Sequence, residues 1–424
     1  MKIWLINHYA CEMFFHKGGR HYWFANELKK RGHDVVVICS AASAERDENY
    51  TKTISGKFAI EEDNGIPYIF VKNKPYSANG FDRIENMGRF FFNLFPTSKQ
   101  LIKRYGKPDI ILASSVHPLT MVAGVLISRR IKIPCVCEIR DLWPEAIFAF
   151  GRAREDSLLG RALLIGEHWI YRNADALIFT KEGDTDYLLE KKWATSCGGD
   201  IDLEKCFYIN NGILLEQYNE QIKTSAFPDE DLDRADAFNV VYTGTIRPVN
   251  NLGNILDCAK LFQNNAEYRN VSFLIYGDGS DKDMLEKRVE EEGINNVHFK
   301  GAVEKCRIPY ILSKAKVNLL NYSQTEYNWR RGNSSNKLFE YMASGKPIIS
   351  TVQMGYSIIN KYKCGIELET CTPECLFEAI KRFILMPKEE YDEYSIAGKD
   401  GAKDFDFVKH TDRLLNVVKY AMEK

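Results

Sequence analysis

Lys337 and Glu340 stand three residues apart in the segment GNSSNKLFEYMASGKPIIST, Gly332–Thr351. That spacing puts a cation and a carboxylate on one face of a helix. The sequence also bounds the helix. Ser334, Ser335 or Asn336 offers a side-chain oxygen for the N-cap, apolar residues follow at helical spacing, and Gly345 with Pro347 closes it. Lys337 therefore lies in the first turn, at the positive end of the helix dipole, which costs about 0.3–1 kcal/mol unless something negative binds there. A phosphate at the helix N-terminus would offset that cost, and a carboxylate one turn deeper could hold sugar hydroxyls. The same two residues could also form a surface ion pair worth about 0.2–0.5 kcal/mol.

Other candidates fall just after apolar runs. Gly18 and Gly19 follow the first run and precede a helical pattern, where glycine lets backbone N–H groups approach a phosphate, although a tight strand-to-helix turn needs glycine anyway. Gly244, Thr245, Ile246 and Arg247 follow a later run; the Arg247 guanidinium suits a bidentate phosphate contact or an ordinary surface position. Gly277-Asp278-Gly279 reads as a structural turn or a ligand wall, and Gly301-Ala302-Val303 could offer backbone groups to a base. His117, before Pro118, is a turn histidine or a site residue. Asp184-Thr185-Asp186 has the DxD form of metal-binding sites, but it precedes a helix starting near Tyr187, where acids suit the dipole, so capping is expected.

These residues must be carried by a chain of 424 residues, too long for one ordinary core. The net charge of −1 supplies no global attraction to nucleic acid, so any anion site is local. Eleven scattered cysteines without paired CxxC units argue against zinc and for reduced thiols. MKIWLINHYA reads as a strand rather than a signal peptide. Residues 110–128 carry no formal charge, but Ser114, Ser115, His117 and Pro118 break them into a buried strand, a turn and a helix.

Strand and helix patterns alternate throughout. Apolar runs at 2–7, 35–40, 109–114, 134–139 and 176–180 read as buried parallel strands, and the pattern restarts with 239–242, 272–276, 297–300, 317–320 and 348–351. The polar stretch 223–237 suits a linker or exposed excursion. The tail is an amphipathic helix with Leu414, Leu415, Val418 and Met422 on one face. Two Rossmann-like α/β domains facing across a cleft are the simplest architecture, spanning 1–215 and 216–405, with a crossover helix at 406–424 that packs back toward the first. Met87, Phe90, Phe91 and Leu94 form a helical face with Arg83, Arg89, Lys99, Lys103, Arg104 and Lys107 nearby. It is either a buried face or a basic, Phe-rich surface for an anionic membrane, centred on 83–107.

The ordered strings GGR…ELKKRGHDVVVI, EIRDLWPE, NNGI, YTGTI, IYGDG, FKGAV and NKLFEYMASGKPII resemble the family-4 glycosyltransferases over nearly the whole chain. The resemblance is nearest to the bacterial branch that builds O-antigen, capsule and related glycans. It implies the GT-B fold and retention of anomeric configuration. It also implies that Gly18–Gly19 face the donor phosphates, that Arg247 and Lys337 grip the diphosphate with Asn336 and Leu338 beside them, and that Glu340 binds the ribose. Gly301, Ala302 and Val303 would form the base strip, and Arg140, Asp141 and His117 would position sugar and acceptor. Three positions depart from the family pattern: Gly332 stands where a glutamate often contacts the donor sugar, Asn250 and Asn251 where a lysine often follows the arginine, and Arg140-Asp141 where a histidine often ends the strand.

The expected protein is a cytoplasmic glycosyltransferase, peripheral on the inner face of the cell membrane. It needs neither metal nor cofactor and binds no nucleic acid. Its donor is a nucleotide diphosphate sugar, UDP favoured, and its acceptor is a lipid-linked saccharide. The alternatives are a sugar-nucleotide epimerase of the same fold and a non-catalytic nucleotide-sugar-binding subunit.

Overall fold

The computed structural model describes residues 1–42, 51, 53–75, 80–115, 117–149, 151–323 and 329–424. They form two compact α/β units, Met1–Asn210 with Phe407–Lys424, and Asn211–Asp406.

The first unit is built on eight strands: β1 (Lys2–Asn7), β2 (Asp34–Ser40), β3 (Phe58–Asp63), β4 (Ile66–Val71), β5 (Ile110–Ser114), β6 (Cys135–Ile139), β7 (Ala176–Phe179) and β8 (Cys206–Tyr208). Their order in the sheet is β3-β4-β2-β1-β5-β6-β7-β8. All neighbours are parallel except β3 and β4, a hairpin turned by Asn64 and Gly65 at φ +52° and +69°. Positive φ at both turn residues matches the twist of the flanking strands. β1 lies between β2 and β5, with Ile3 opposite both Val35 and Ile110. The strand order therefore reverses at β1, and ligands of such sheets bind beyond the carboxyl ends at that switch point. The uncharged 110–128 stretch divides into β5 and the helix Pro118–Ile131. Among the described residues no helix is long and apolar enough to cross a membrane.

The terminal helix, Phe407–Glu423, belongs to this unit and packs on the helix Arg20–Lys30. The Phe407 ring lies 4.8 Å from Trp23 and 5.0 Å from Phe24, and Arg31 donates to Asp412 at 3.0 Å. Its buried face is Phe407, His410, Leu414, Val417, Val418 and Ala421, while Met422 is 46% exposed. Met422 was expected on the buried face. The anchored Phe407 ring sets the helix phase, and a 3.6-residue repeat counted from it reaches Ala421 instead.

The second unit carries β9 (Phe238–Thr243), β10 (Val271–Tyr276), β11 (Val297–Gly301), β12 (Val317–Leu320), β13 (Ile348–Ser350) and β14 (Gly365–Glu367), all parallel, in the order β11-β10-β9-β12-β13-β14. Its switch point is at β9. Side chains alternate across the sheet: Val241, Leu274 and Ile348 pack with the helix Asn336–Ser344, and Val240, Phe273 and Ile349 with the helices Leu252–Gln263 and Pro373–Leu385.

The stretch 223–237 is not a linker between the halves, because the units divide at Asn210–Asn211. Leu232 and Ala237 are buried, and Asp229 accepts from Lys300 Nζ at 2.7 Å and from the Tyr276 hydroxyl at 2.8 Å. Two of the acids that make this segment look solvated, Asp229 and Asp231, are counter-ions of the strand lysine Lys300.

Candidate functional site

In the second unit the loops beyond β9, β10 and β11 continue the sheet's hydrogen bonding. Gly244 N–H donates to Tyr276 O (2.9 Å), Ile246 N–H to Asp278 O (2.9 Å), and Gly277 N–H to Gly301 O (2.8 Å). Gly277 (φ +153°) and Gly279 (φ +158°) are required here, since a β-carbon would lie 1.8 Å from Gly244 O and 2.2 Å from Ile246 O respectively. This shelf is one wall of a 260 Å³ cavity lined by Thr243, Gly244, Tyr276, Gly277, Ala302, Val303, Lys305, Ile308, Asn336, Lys337 and Glu340.

The helix Asn336–Ser344 forms the opposite wall and is locked to the sheet by Tyr341, whose hydroxyl accepts from Thr243 N–H at 3.1 Å. Gly345 ends the helix at φ +65°. Ser335 is the N-cap residue, but its side chain does not cap. The Ser335 hydroxyl instead accepts from Tyr322 OH at 2.9 Å, and Asn333 Oδ1 accepts from Ser335 N–H. The expected side-chain cap is therefore absent.

Lys337 and Glu340 do not pair with each other among the described residues. Lys337 Nζ donates to the Tyr242 hydroxyl at 3.0 Å and lies 4.6 Å from the Tyr242 ring centroid and 5.2 Å from that of Tyr322. Burial pushes this lysine down to about 8, with Glu340 acting weakly in the other direction. Glu340 is raised by its own burial against the pull of Lys305 and Lys337, and its nearest cation is Lys305 Nζ at 4.0 Å. A buried ammonium held by rings rather than by a carboxylate keeps its charge available for an incoming anion.

The other proposed residues of this unit divide. Asn336, Ala302 and Val303 line the cavity, and Gly301 supports the shelf through its carbonyl. Leu338 is fully buried in the core, so its side chain reaches no ligand. Arg247 follows β9 and is exposed; its carbonyl accepts from Asn250 N–H at 2.8 Å, and its side chain forms no hydrogen bond or ion pair among the described residues. Gly332 is buried at φ +104°, a conformation that strains any residue with a β-carbon. The backbone, and not only the residue type, is thus set against a glutamate there.

In the first unit Gly19, at φ +104°, is the N-cap of the helix Arg20–Lys30, and Gly18 precedes it. Behind this turn sits a buried network that sequence reasoning missed. Glu138 accepts from Arg20 Nε at 2.7 Å, His21 Nε2 at 3.1 Å and Ser114 OH at 2.6 Å, and Arg20 also donates to the carbonyls of Ile209 and Asn210. Burial alone would raise the Glu138 carboxyl, but the Arg20 charge and the His21 hydrogen bond carry it well below the usual range.

His117 is completely buried and shares a 3.0 Å hydrogen bond with His8 Nδ1. These histidines follow β5 and β1, the strands of the switch point. Burial lowers both, His117 to about 3, so both rings are neutral. Arg140 is pinned through its backbone, its N–H to Ser115 Oγ (2.9 Å) and its carbonyl accepting from Thr180 Oγ1 (3.0 Å). Asp141 is exposed at the rim of a separate 190 Å³ apolar cavity that also contains Trp143, Glu167 and Tyr171.

Asp184 occupies the first turn of the helix Asp184–Glu190, is fully buried, and accepts from Lys181 N–H at 3.3 Å, a backbone-turning role. Among the described residues no group of three His, Cys, Asp or Glu side chains could hold a metal ion.

The helix Phe81–Tyr105 buries Met87, Phe90, Leu94 and Leu101, so the face read from the sequence is core. Phe81, Ile84 and Phe92 point outward at 80%, 65% and 70% exposure. A 430 Å³ cavity between this helix and Pro118–Ile131 has an apolar floor of Phe95, Pro96, Ile102, Ile127 and Ile131, with Lys99, Lys103 and Arg130 among its lining residues.

Residues 19–195 match the family described as "Glycosyl transferase 4-like domain", and residues 226–400 match "Glycosyl transferases group 1". A probable glycosyltransferase, WbjE of Pseudomonas aeruginosa, is 21% identical over 271 residues, 63% of this chain and 63% of that protein's length. Sucrose-phosphate synthase of Thermosynechococcus elongatus superposes with TM-score 0.70 at 15% identity, covering 99% of this chain and 98% of that one. HepE of Anabaena in complex with UDP superposes with TM-score 0.67 at 16% identity, covering 99% and 100%. Each family match lies within one of the two parallel-sheet units, and the chain belongs to the GT-B glycosyltransferases built of a 4-like and a group 1 domain.

Proposed function

We propose that this protein is a retaining, metal-independent glycosyltransferase that moves a hexosyl or N-acetylhexosaminyl group from a UDP-sugar to a lipid-linked saccharide. The observation that carries this reading is Lys337. Its ammonium is held by tyrosine rings at a helix N-terminus, beside a cavity whose far end offers the Ala302–Val303 backbone and whose near side offers Glu340. A diphosphate meets the ammonium and the helix N–H groups, the ribose hydroxyls meet Glu340, and the base lies along Ala302–Val303. The UDP complex of HepE, on the same fold, supports uridine as the base.

In the transfer the bond between the anomeric carbon and the β-phosphate oxygen breaks, and a bond from the acceptor oxygen forms on the same face. The acceptor proton passes to the departing phosphate oxygen. The protein's contribution is to stabilise negative charge growing on that diphosphate, the work of Lys337 and Arg247. The family resemblance assigns Gly18 and Gly19 to the donor phosphates, and Arg140 and Asp141 to sugar and acceptor. His117, buried and neutral, supports its loop.

The protein works at the inner face of the cell membrane in surface-glycan synthesis. The outward Phe81, Ile84 and Phe92, with Lys99, Lys103 and Arg130 beside the adjoining apolar cavity, support contact with an anionic bilayer. Calorimetry with UDP tests the donor site: Lys337→Ala and Arg247→Ala each weaken binding, and unchanged affinity in both rejects the assignment. Release of UDP from a UDP-sugar only when a lipid-linked acceptor is added tests the transfer; conversion of the donor alone would favour an epimerase. Co-sedimentation with anionic vesicles, lost in Phe92→Ser with Lys99→Glu, tests the membrane contact.

A further inference from the structure

We infer that Tyr242 and Tyr322 are positioning residues for the diphosphate, holding the Lys337 ammonium beside the cavity in a cage of aromatic faces that, among the described residues, contains no carboxylate. The inference rests on the reading of Lys337 as a diphosphate contact.

The two tyrosines come from neighbouring strands of the switch point, Tyr242 within β9 and Tyr322 just beyond β12. Lys337 Nζ lies 4.6 Å and 5.2 Å from their ring centroids. Each ring is itself fixed. The Tyr242 hydroxyl accepts from Lys337 and donates to Thr245 O at 2.8 Å. The Tyr322 hydroxyl donates to Ser335 Oγ at 2.9 Å, and its ring packs against Trp329 at 4.4 Å. Tyr322 thus ties the cage to the residue that begins the lysine's own helix. A third wall is Gly244, against which the lysine stem lies.

A carboxylate partner would hold an ammonium as firmly, but a diphosphate would then have to displace it or bind beside a neutralised charge. An aromatic face attracts the cation through its quadrupole and leaves the net charge intact. The only acid on the lysine's helix face, Glu340, has Lys305 as its nearest cation. The sequence pairs a fixed cation with fixed rings, so the ammonium pays little ordering entropy when the ligand arrives.

The test is UDP affinity by calorimetry from pH 6 to 9.5 on the full chain and on Lys337→Ala, Tyr242→Leu, Tyr322→Leu and Tyr322→Phe. In the unsubstituted protein affinity falls as pH rises through about 8, where free Lys337 loses its proton. Either leucine variant weakens UDP by about 5- to 30-fold and moves that midpoint upward, as water reaches the lysine; Tyr322→Phe recovers most of the loss. Weakening with an unmoved midpoint would mean general damage and overturn the cage. So would full affinity in the leucine variants while Lys337→Ala is impaired. Full affinity in Lys337→Ala would instead reject the diphosphate reading itself. Should a leucine variant fail to fold, reductive ¹³C-methylation of the unsubstituted chain decides: the Lys337 methyl protons must show an upfield ring-current shift, and an unshifted signal overturns the cage.

Discussion

Gly244 runs beneath Lys337 so closely that a β-carbon on the glycine would lie 2.8 Å from both Cε and Nζ of the lysine. The backbone there has φ +135°, which residues with a β-carbon rarely adopt. Gly244→Ala therefore strains its own backbone and drives the ammonium out of its place. The variant should bind UDP at least about tenfold more weakly by calorimetry, a loss of about 1.4 kcal/mol. It should also unfold in urea with a stability lower by about 1 kcal/mol. Normal UDP binding by a folded Gly244→Ala protein would show that the lysine's position is not set by this contact.

Glu138 joins the loops of the first unit through a fully buried ion pair with Arg20. Its depressed carboxyl contributes stability that is present above the unfolded value near pH 4.3 and disappears as pH falls through the lower folded value. Glu138→Leu leaves Arg20 buried without its counter-ion and should cost about 3–5 kcal/mol in urea unfolding. The double variant Arg20→Met with Glu138→Leu should lose clearly less than the sum of the two single losses, because no orphan charge remains. Additive losses would mean that the two side chains act independently.

How much of this could be read in advance follows from where the forces act. Strands buried on both faces announce themselves as unbroken apolar runs, and those runs anticipated the centres of both sheets. The edge strand β11 was also anticipated, but the edges β3, β8 and β14 and the interior β4 were not: β8 and β14 have only three residues each, and β3 ends in the consecutive acids Glu61, Glu62 and Asp63. The Asn64-Gly65 turn was a legible hairpin signal that was overlooked. Lys337 was conspicuous because it breaks a local electrostatic rule, whereas its tyrosine cage is assembled from β9 and from the loop after β12, distant in sequence. Glu138 was hidden for the opposite reason. It sits inside a strand, where a charged residue reads as a surface position until its buried partners, Arg20 and His21, are brought to it by the fold.

Asp184 bears on the metal question. Its side chain is fully buried and its Oδ2 takes the Lys181 N–H at 3.3 Å, which ties the carboxylate to the turn that begins its own helix. On the proposed reading, charge on the leaving diphosphate falls instead to Lys337 and Arg247. Turnover should persist undiminished in excess EDTA, and Asp186→Asn should leave it within about twofold, a change of about 0.4 kcal/mol in barrier. Strict Mn²⁺ dependence that disappears in Asp186→Asn would restore the metal role.

Glu167 supplies a pH-dependent term of opposite sign to that of Glu138. It is buried in the first unit and accepts from the hydroxyls of Tyr171 and Tyr187, both at 2.7 Å, yet burial outweighs these bonds and pushes it up to about 7. The folded state therefore holds a proton that the unfolded chain releases near pH 4.3, so stability falls as pH rises from there to about 7. Glu167→Gln cannot ionise, and the tyrosine hydroxyls can rotate to serve as donor to its oxygen and acceptor from its amide. Relative to the unsubstituted protein, the variant should gain about 1–3 kcal/mol at pH 8 and little or nothing at pH 4.5 in matched urea titrations. A difference between the two proteins that stays constant from pH 4.5 to 8 would mean that Glu167 is ionised throughout in the fold, with the tyrosine hydrogen bonds outweighing its burial.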